Sequence, residues 1–580
     1  MTEGAAPAAQ KDGGGGASGA CFRKIHAPKR LSHSRTGEET ARPGGTDARQ
    51  QAVSSGFAAL LPDRAPGKPT AIPKKEEAFA GAEAMVIIMK LVINGDLNRS
   101  YAQTLCLIFF PGAKFSEKEE ITPDTPSVTF SVTPCGETAV VSARVTCGGK
   151  TASASHTEPY ARWESTQKTH RIAAGVALLD AGTRMFGSAP AWGILTGVRP
   201  AKLALQAFSA GKDRDGVIAG LTDEYFVTPK KAALTADIAM RESALIERYG
   251  NGTCSLYISV PFCPTRCAYC SFVSYSTKRL LSLIPAYIER LCEDIRRMFR
   301  IIRQSGLKLI AVYIGGGTPS ILDCGQLERL LSCVSSQTDP GELLEYTLEA
   351  GRPDTITPEK LRVAKSYGVT RISINPQTLN DEVLHAIGRK HTADDFYRAF
   401  AAAREIGGFQ INTDLIAGLP GDSFDSFSRT VDTVTELKPE NITVHTFCVK
   451  KSADILNSGA RIYSRTGGDT GKCVEYSQLT ARANGYEPYY IYRQKNAIGN
   501  LENVGFAQPG TEGLYNIFIM EEIHSIFAVG AGAVTKLVDR KNDHITRIFM
   551  PKYPYEYLSM GNEPGQTDRF FEKIGSELPK

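Results

Sequence analysis

Along the chain, the rhythm of apolar positions changes twice. From residue 89 to about 155, apolar and polar residues alternate in runs such as VTFSVTP and ETAVVSARVTC, with turn residues between them. A period of two belongs to strands with one buried face, so this stretch predicts hairpins. From about 167 to 249 the spacing becomes helical, in HRIAAGVALLDAGTRMFG and PKKAALTADIAMRESALIERYG, the second stopping at Gly250. Residues 85–250 thus predict a small α+β domain. Between those helices lies AWGILTGVRPAKLALQ (191–206), whose composition assigns it no chemistry.

From 256 the rhythm repeats. Strand-like runs lie at 256–260 (LYISV), 309–314 (LIAVYI), 345–350 (EYTLEA), 371–374 (RISI), within 409–419 (FQINTDLIAGL) and at 441–447 (NITVHTF). A helical stretch follows each of the first five. Such a succession of β–α units predicts a parallel sheet. Six units fall short of the eight of a full barrel, so 251–449 predict a partial (β/α)6 TIM-like barrel. After 450 the alternation breaks. Helical CVEYSQLTARANG and NIFIMEEIHSIFAVG mix with strand-like EPYYIYR and HITRIFM, and 450–580 predict a smaller α+β module on the barrel mouth. The fold class is therefore α/β, with an α+β unit at each end. Residues 1–84 hold GGGGASGA and RPGGTDARQ and few large apolar residues, and predict a disordered tail or a start placed too early.

Composition adds limits. A chain of 580 residues implies two or three domains. Its net charge of +5 demands neither nucleic acid nor a membrane surface. No run of eighteen apolar residues occurs, so no membrane span is expected. Thirteen cysteines are scattered except for one tight group, and no secretory signal is evident. That pattern predicts a reducing, cytoplasmic setting with one metal site rather than a disulfide framework.

The tight group is SVPFCPTRCAYCSF, with Cys263, Cys267 and Cys270 directly after the first barrel strand. Ligands of such sheets sit at the carboxyl ends of the strands. Other unusual residues fall at equivalent places: GGGTPS at 315–320, Glu349, NPQ at 375–377, Asp414 ahead of GLPG at 418–421, and His445. A structural zinc would need a fourth ligand. Cys254 precedes the strand, which would hold it roughly 15 Å or more from Cys263. An iron–sulfur cluster is the other reading. Three thiolates on a four-iron cluster leave one iron open to a substrate or cofactor.

C-x3-C-x2-C after the first strand of a partial barrel resembles the radical S-adenosylmethionine (SAM) superfamily. The resemblance implies a [4Fe–4S] cluster whose open iron chelates SAM, and reductive cleavage to a 5′-deoxyadenosyl radical. It implies that Gly315, Gly316 and Gly317 let the backbone approach the methionine part of SAM. YISVPFCPTRCAYCSF, YIGGGTPS, NPQTLNDEVLHAIGRKH and DLIAGLPG further resemble the oxygen-independent coproporphyrinogen III oxidase group. WGILTGVRPAKL, ENVGFAQPG, YNIFIMEE and GAGAVTK resemble its coproporphyrinogen dehydrogenase branch, HemZ. The match runs from 89 to the C-terminal region.

In that group two SAM molecules lie near the cluster. The resemblance places Tyr257, Gly316 and Glu349 at the first, and Tyr269, Gly317, Thr318, Gln377, Arg389 and Asp414 around the second. Plainer readings stand beside these: Tyr257 as core, Glu349 as an ion-pair partner, Arg389 as a solvated helix-end charge. The implied reaction is oxidative decarboxylation of two propionates, turning coproporphyrinogen III into protoporphyrinogen IX. It calls for a porphyrinogen substrate, a flavodoxin- or ferredoxin-type reductase as electron donor, and cations for the propionates. Arg389, Lys390, Arg352 and Arg493 are candidates by type. Two positions depart from the best-studied branch: Phe272 stands where it has a further cysteine, and Ser259 where a histidine is common. A sister branch of haem chaperones also has an aromatic in place of that cysteine. A haem-delivering protein, with His445 as a haem ligand, is thus one alternative, and a radical SAM enzyme acting on another substrate is a second.

Overall fold

The computed structural model describes residues 87–117, 125–270, 272, 274–339, 341–448, 467–542, 544–560 and 565–579. The expectation for the first 84 residues lies outside them, as does the start of the predicted C-terminal module.

Five strands form a first sheet: β1 (Ile88–Asn94), β2 (Lys114–Phe115), β3 (Ser127–Cys135), β4 (Thr138–Cys147) and β5 (Lys150–Pro159). Their spatial order is β2-β1-β3-β4-β5. The alternating runs become the antiparallel ladder β3–β4–β5, and β1 adds parallel to β3. One face is covered by the helix Thr166–Phe186, which Ser165 caps at its start and the left-handed Gly187 ends. The interior is hydrocarbon, with Met89, Leu91, Val128, Phe130, Val141 and Val145 packed on Ala173, Ala177 and Ala181 of that helix.

The next three helices, Pro200–Ser209, Arg214–Tyr225 and Pro229–Tyr249, bury their apolar residues in the core of the second sheet. Periodicity divides the chain at 250, but the apolar cores part near 194. Ile194 closes the first core, and Trp192 and Leu195 already belong to the second. Helical spacing shows only that a helix has an apolar face, not which sheet receives it.

The second sheet carries β6 (Thr253–Val260), β7 (Lys308–Gly316), β8 (Glu345–Leu348), β9 (Arg371–Ser373), β10 (Gln410–Ala417) and β11 (Asn441–Thr446). They are parallel neighbours in chain order, as the six β–α units predict. The C-terminal region adds β12 (Glu487–Arg493), β13 (Glu502–Ala507), β14 (Ser525–Val529), β15 (Val534–Asp539) and β16 (His544–Phe549). These strands do not form a module on the mouth. They extend the same sheet at both edges, giving the order β12-β13-β11-β10-β9-β8-β7-β6-β14-β15-β16. An open parallel sheet leaves unpaired N–H and C=O groups at its edges, and these strands pair them. β14 is the SIFAV run, which lay within a predicted helix. The helix Leu514–Glu521 instead stops at Glu522 in left-handed backbone (φ 52°), and SIFAV is fully buried as a parallel partner of β6.

The sheet curls. Tyr257 of β6 and Tyr492 of β12 line the same cavity. Seven strand spacings of ~4.8 Å would separate them by ~34 Å if the sheet were flat. Among the described residues no helix is long and apolar enough to cross a membrane.

Candidate active site

The cysteine loop is pinned at its base and along its length. Cys263 N donates to Tyr275 O at 3.0 Å, and Tyr275 N to Pro261 O at 2.9 Å. Ala268 N donates to Ile387 O at 2.9 Å, tying the loop to the far side of the rim. The glycine loop lies against it: Gly317 N donates to Val260 O at 2.8 Å, and Thr318 N to Phe262 O at 2.7 Å. This fit requires glycine. Gly316 has φ +108°, and a Cβ on Gly317 would lie 2.5 Å from Phe262 O. The glycine run therefore shapes the cysteine loop as well as opening space for a ligand.

Three sulfurs meet a single cavity of about 520 Å³. It is lined by Cys263, Cys267, Cys270, Tyr257, Tyr269, Gly316, Gly317, Thr318, Glu349, Gln377, Arg389 and Asp414. Of the predicted site residues only Gly315 is absent from that lining; it stands behind, where a Cβ would come within 2.7 Å of Glu349 Oε2. Cys254 is buried at the opposite end of β6. All three loop cysteines are free thiols. Burial pushes Cys263 up to about 11, against a hydrogen bond with the Thr318 hydroxyl at 3.3 Å. Burial raises Cys270 as well. Bound irons would supply the positive charge that turns such thiols into thiolates. Among the described residues no three His, Cys, Asp or Glu side chains converge as a single ion requires. Three soft sulfurs at one end of a cavity suit a cluster in which each thiolate holds a different iron.

Glu349 is the first residue after β8, and its backbone N donates to Ile314 O at 2.9 Å. Burial, then the charge of Asp414, push its carboxyl up to about 7, opposed by the Tyr313 hydroxyl. It makes no ion pair with a described residue. Asp414 lies within β10 rather than at its end. Asn375 Nδ2 donates to Oδ2 at 3.0 Å, Asn412 Nδ2 to Oδ1 at 3.3 Å, and His445 Nε2 stands 3.7 Å from Oδ2. Gln377 continues the sheet past β9, its N donating to Asp414 O at 3.1 Å and its O accepting from Ile416 N at 2.9 Å. It does so with φ +70°, strained for a residue with a Cβ. Its buried Oε1 has no partner among the described residues, so an acceptor is left for a ligand's donor.

The expected cations are disposed otherwise. Arg389 is buried, not solvated. It donates to Tyr269 OH (2.9 Å), Gly351 O (2.7 Å), Asn375 O (2.8 Å) and His391 Nδ1 (3.3 Å). Four of its five N–H groups thus tie three rim loops together. Arg352 is held by both oxygens of Asp354, at 2.9 and 2.8 Å. Lys390 is exposed and outside the cavity lining, and Arg493 lies off it, over the Trp192 ring at 4.9 Å.

Sequence reasoning missed an aromatic wall. Tyr257, Tyr313 and Tyr515 stand nearly parallel, with centroids 6.1, 6.2 and 4.6 Å apart. Tyr490 and Tyr492 stack at 6.3 Å nearby. The available signal was period two: Tyr313 precedes Gly315 by two on β7, on the same face, and pairs with Tyr257 across the strands. Tyr515 comes from a distant helix and left no local sign. His445 Nδ1 is 3.0 Å from Tyr492 OH, while its Nε2 stands 3.7 Å from Asp414 Oδ2, beyond hydrogen-bond reach.

The radical SAM superfamily model matches residues 257–434. The chain is 37% identical over 383 residues to the oxygen-independent coproporphyrinogen-III oxidase-like protein HemZ of Bacillus subtilis, covering 66% of this chain and 76% of that one. It is 33% identical over 281 residues to the heme chaperone HemW of Lactococcus lactis, covering 48% of this chain and 68% of that one. The solved coproporphyrinogen III oxidase HemN of Escherichia coli, a radical SAM enzyme, aligns with TM-score 0.42 and 20% identity over 56% of this chain and 73% of that one. The α/β sheet with its cysteine loop is a radical SAM fold, and its cofactors are a [4Fe–4S] cluster and SAM. Within that superfamily the chain belongs to the oxygen-independent coproporphyrinogen III oxidase group that includes HemZ.

Proposed function

We propose that the protein is an oxygen-independent coproporphyrinogen III dehydrogenase. When bound, the cluster and SAM would supply an acceptor for a hydrogen atom. Taking that atom from the β-carbon of a propionate lets the side chain lose CO2, pass one electron to an external one-electron acceptor and become vinyl. Cys263, Cys267 and Cys270 would hold three irons and leave the fourth for SAM. Glu349, a half-buried carboxylate without an ion-pair partner among the described residues, would accept from the SAM ammonium. Asp414, oriented by Asn375 and Asn412, accepts from ribose hydroxyls, and the Gln377 carbonyl takes a further donor. Arg389 and Tyr269 keep the rim loops in register, so the target carbon and the reacting group stay in reach. The tyrosine wall offers a flat face to a tetrapyrrole and excludes water.

The observation that carries this reading is the meeting, in one cavity, of three free thiols, an unpaired carboxylate and three parallel tyrosine rings. Haem delivery is the second reading, supported by the 33% identity to a heme chaperone. An anaerobic assay with reductant, SAM and coproporphyrinogen III separates them. The proposal expects 5′-deoxyadenosine and protoporphyrinogen IX to appear together. Deoxyadenosine without vinyl product overturns the substrate, and haem titration then decides for or against the second reading.

A further inference from the structure

A second cavity, of about 790 Å³, opens beside the first and shares Tyr492, Gln494, Ile519, Met520 and Lys536 with its wall. Its charge is one-sided. Arg199, Arg493, Lys495, Lys536 and Arg547 line it, against the single carboxylate of Glu522. Three of these cations already converge on that carboxylate: Arg199 at 2.9 Å, Lys536 at 3.1 Å and Arg547 at 2.8 Å. One negative charge cannot neutralise three positive ones at such range. Lys495 is exposed and makes no ion pair with a described residue.

Arg493 is the sharpest case. It is only 7% exposed, donates to the carbonyls of Leu195 and Asn500, and leaves its buried Nε without a partner. Burial pushes its pKa down to about 10. Buried Glu502, opposite it across β12 and β13, offsets part of its charge, and the Nε is the donor left open.

These cations come from four separate stretches. Arg199 lies in the GVRPAKL segment that composition left without chemistry, Lys536 in β15, Arg547 in β16, and Arg493 and Lys495 at and just past the end of β12. The space matters too. A cavity of about 520 Å³ is of the size that holds one drug-sized ligand, roughly 300–1,000 Å³, and here SAM must occupy it. A large substrate therefore needs the neighbouring chamber.

We propose that this second chamber anchors the carboxylate arms of a tetrapyrrole whose ring lies toward the tyrosine wall. The inference rests on the porphyrinogen reading above and adds the anchor to it. Planar guanidinium groups match carboxylates in pairs, which favours Arg199 and Arg547 as the gripping residues. Glu522 competes with the ligand for the same cations.

The test is a fluorescence titration of the cluster-loaded full chain with coproporphyrin III, the oxidised four-carboxylate ring, without reductant. Arg547→Gln weakens binding by about tenfold, the loss expected for one charged hydrogen-bonded contact. Lys495→Gln, at an exposed position that spares the fold, weakens it by about threefold. Glu522→Gln tightens it by about tenfold because the competitor is gone, a gain that a damaged fold cannot mimic. The tetramethyl ester of the same ring is indifferent to all three changes. Binding of coproporphyrin III that none of the three alters by more than about twofold overturns this inference alone. No binding to the unaltered protein overturns the porphyrinogen reading and this inference with it.

Discussion

The two sheets treat buried polar atoms in opposite ways. Within 87–194, the five-stranded sheet and its helix, Thr183 Oγ1 is the one buried side-chain polar atom without a partner among the described residues. The eleven-stranded sheet and its loops keep many, including Tyr346 OH, Gln377 Oε1, Asn412 Oδ1 and Thr413 Oγ1. Two of those residues, Gln377 and Asn412, line the cavity. A hydrocarbon interior gains only from being filled, so every position in it serves stability. An interior with open hydrogen-bonding valences gives up stability to keep a place for something else.

This contrast can be broken experimentally. The largest effect is at the thiols. Cys263→Ala should abolish the four-iron absorbance of the reconstituted protein, and full retention would remove Cys263 from the ligand set. Next is the hydrocarbon sheet. Phe130→Ala empties a fully buried site and should cost about 3–5 kcal/mol in denaturant unfolding, with SAM affinity of the folded protein unchanged. A matching fall in SAM affinity would show that the two regions are not separable. Glu349→Ala should leave the cluster absorbance intact and lower deoxyadenosine formation by about a hundredfold, the cost of a lost charge-assisted contact at the reacting end. Cleavage at the original rate would strike Glu349 from the site.

The smallest effect is a pH dependence. Glu349 titrates near 7 when no cation faces it. Below that pH the carboxyl is protonated and must lose its proton to accept an ammonium group. SAM affinity should therefore fall about fivefold between pH 7 and pH 6, and level off above about pH 8. Glu349→Gln should flatten this profile at a lower affinity. A slope that survives the substitution would place the titration elsewhere.

Much of the barrel was legible because each β–α unit is written locally, as a short apolar run followed by a helical stretch. What escaped depends on pairing at long range. Nothing near SIFAV says that it lies beside LYISV, and a five-residue apolar run does not distinguish strand from buried helix. The same holds at the site. The cysteine spacing and the glycine run are local signals, and both mark the cavity. Tyr515, in YNIFIMEE, and Lys536, in GAGAVTK, reach it from distant segments whose composition assigns them no chemistry. Arg389 was expected to meet ligand, yet its side chain is spent almost wholly on three loops, which only coordinates reveal.

The placement of β14 against β6 also has a consequence for the order of synthesis. The strand that leads into the cysteine loop has its second neighbour at 525–529, more than 260 residues later. At about 5–20 residues per second, a ribosome leaves that edge of β6 open for on the order of tens of seconds. During this interval the thiols have already emerged, while the sheet that will enclose them is incomplete. The nascent chain is thus reactive before it is shielded, and its maturation is a race between iron delivery and the arrival of its own C-terminal strand.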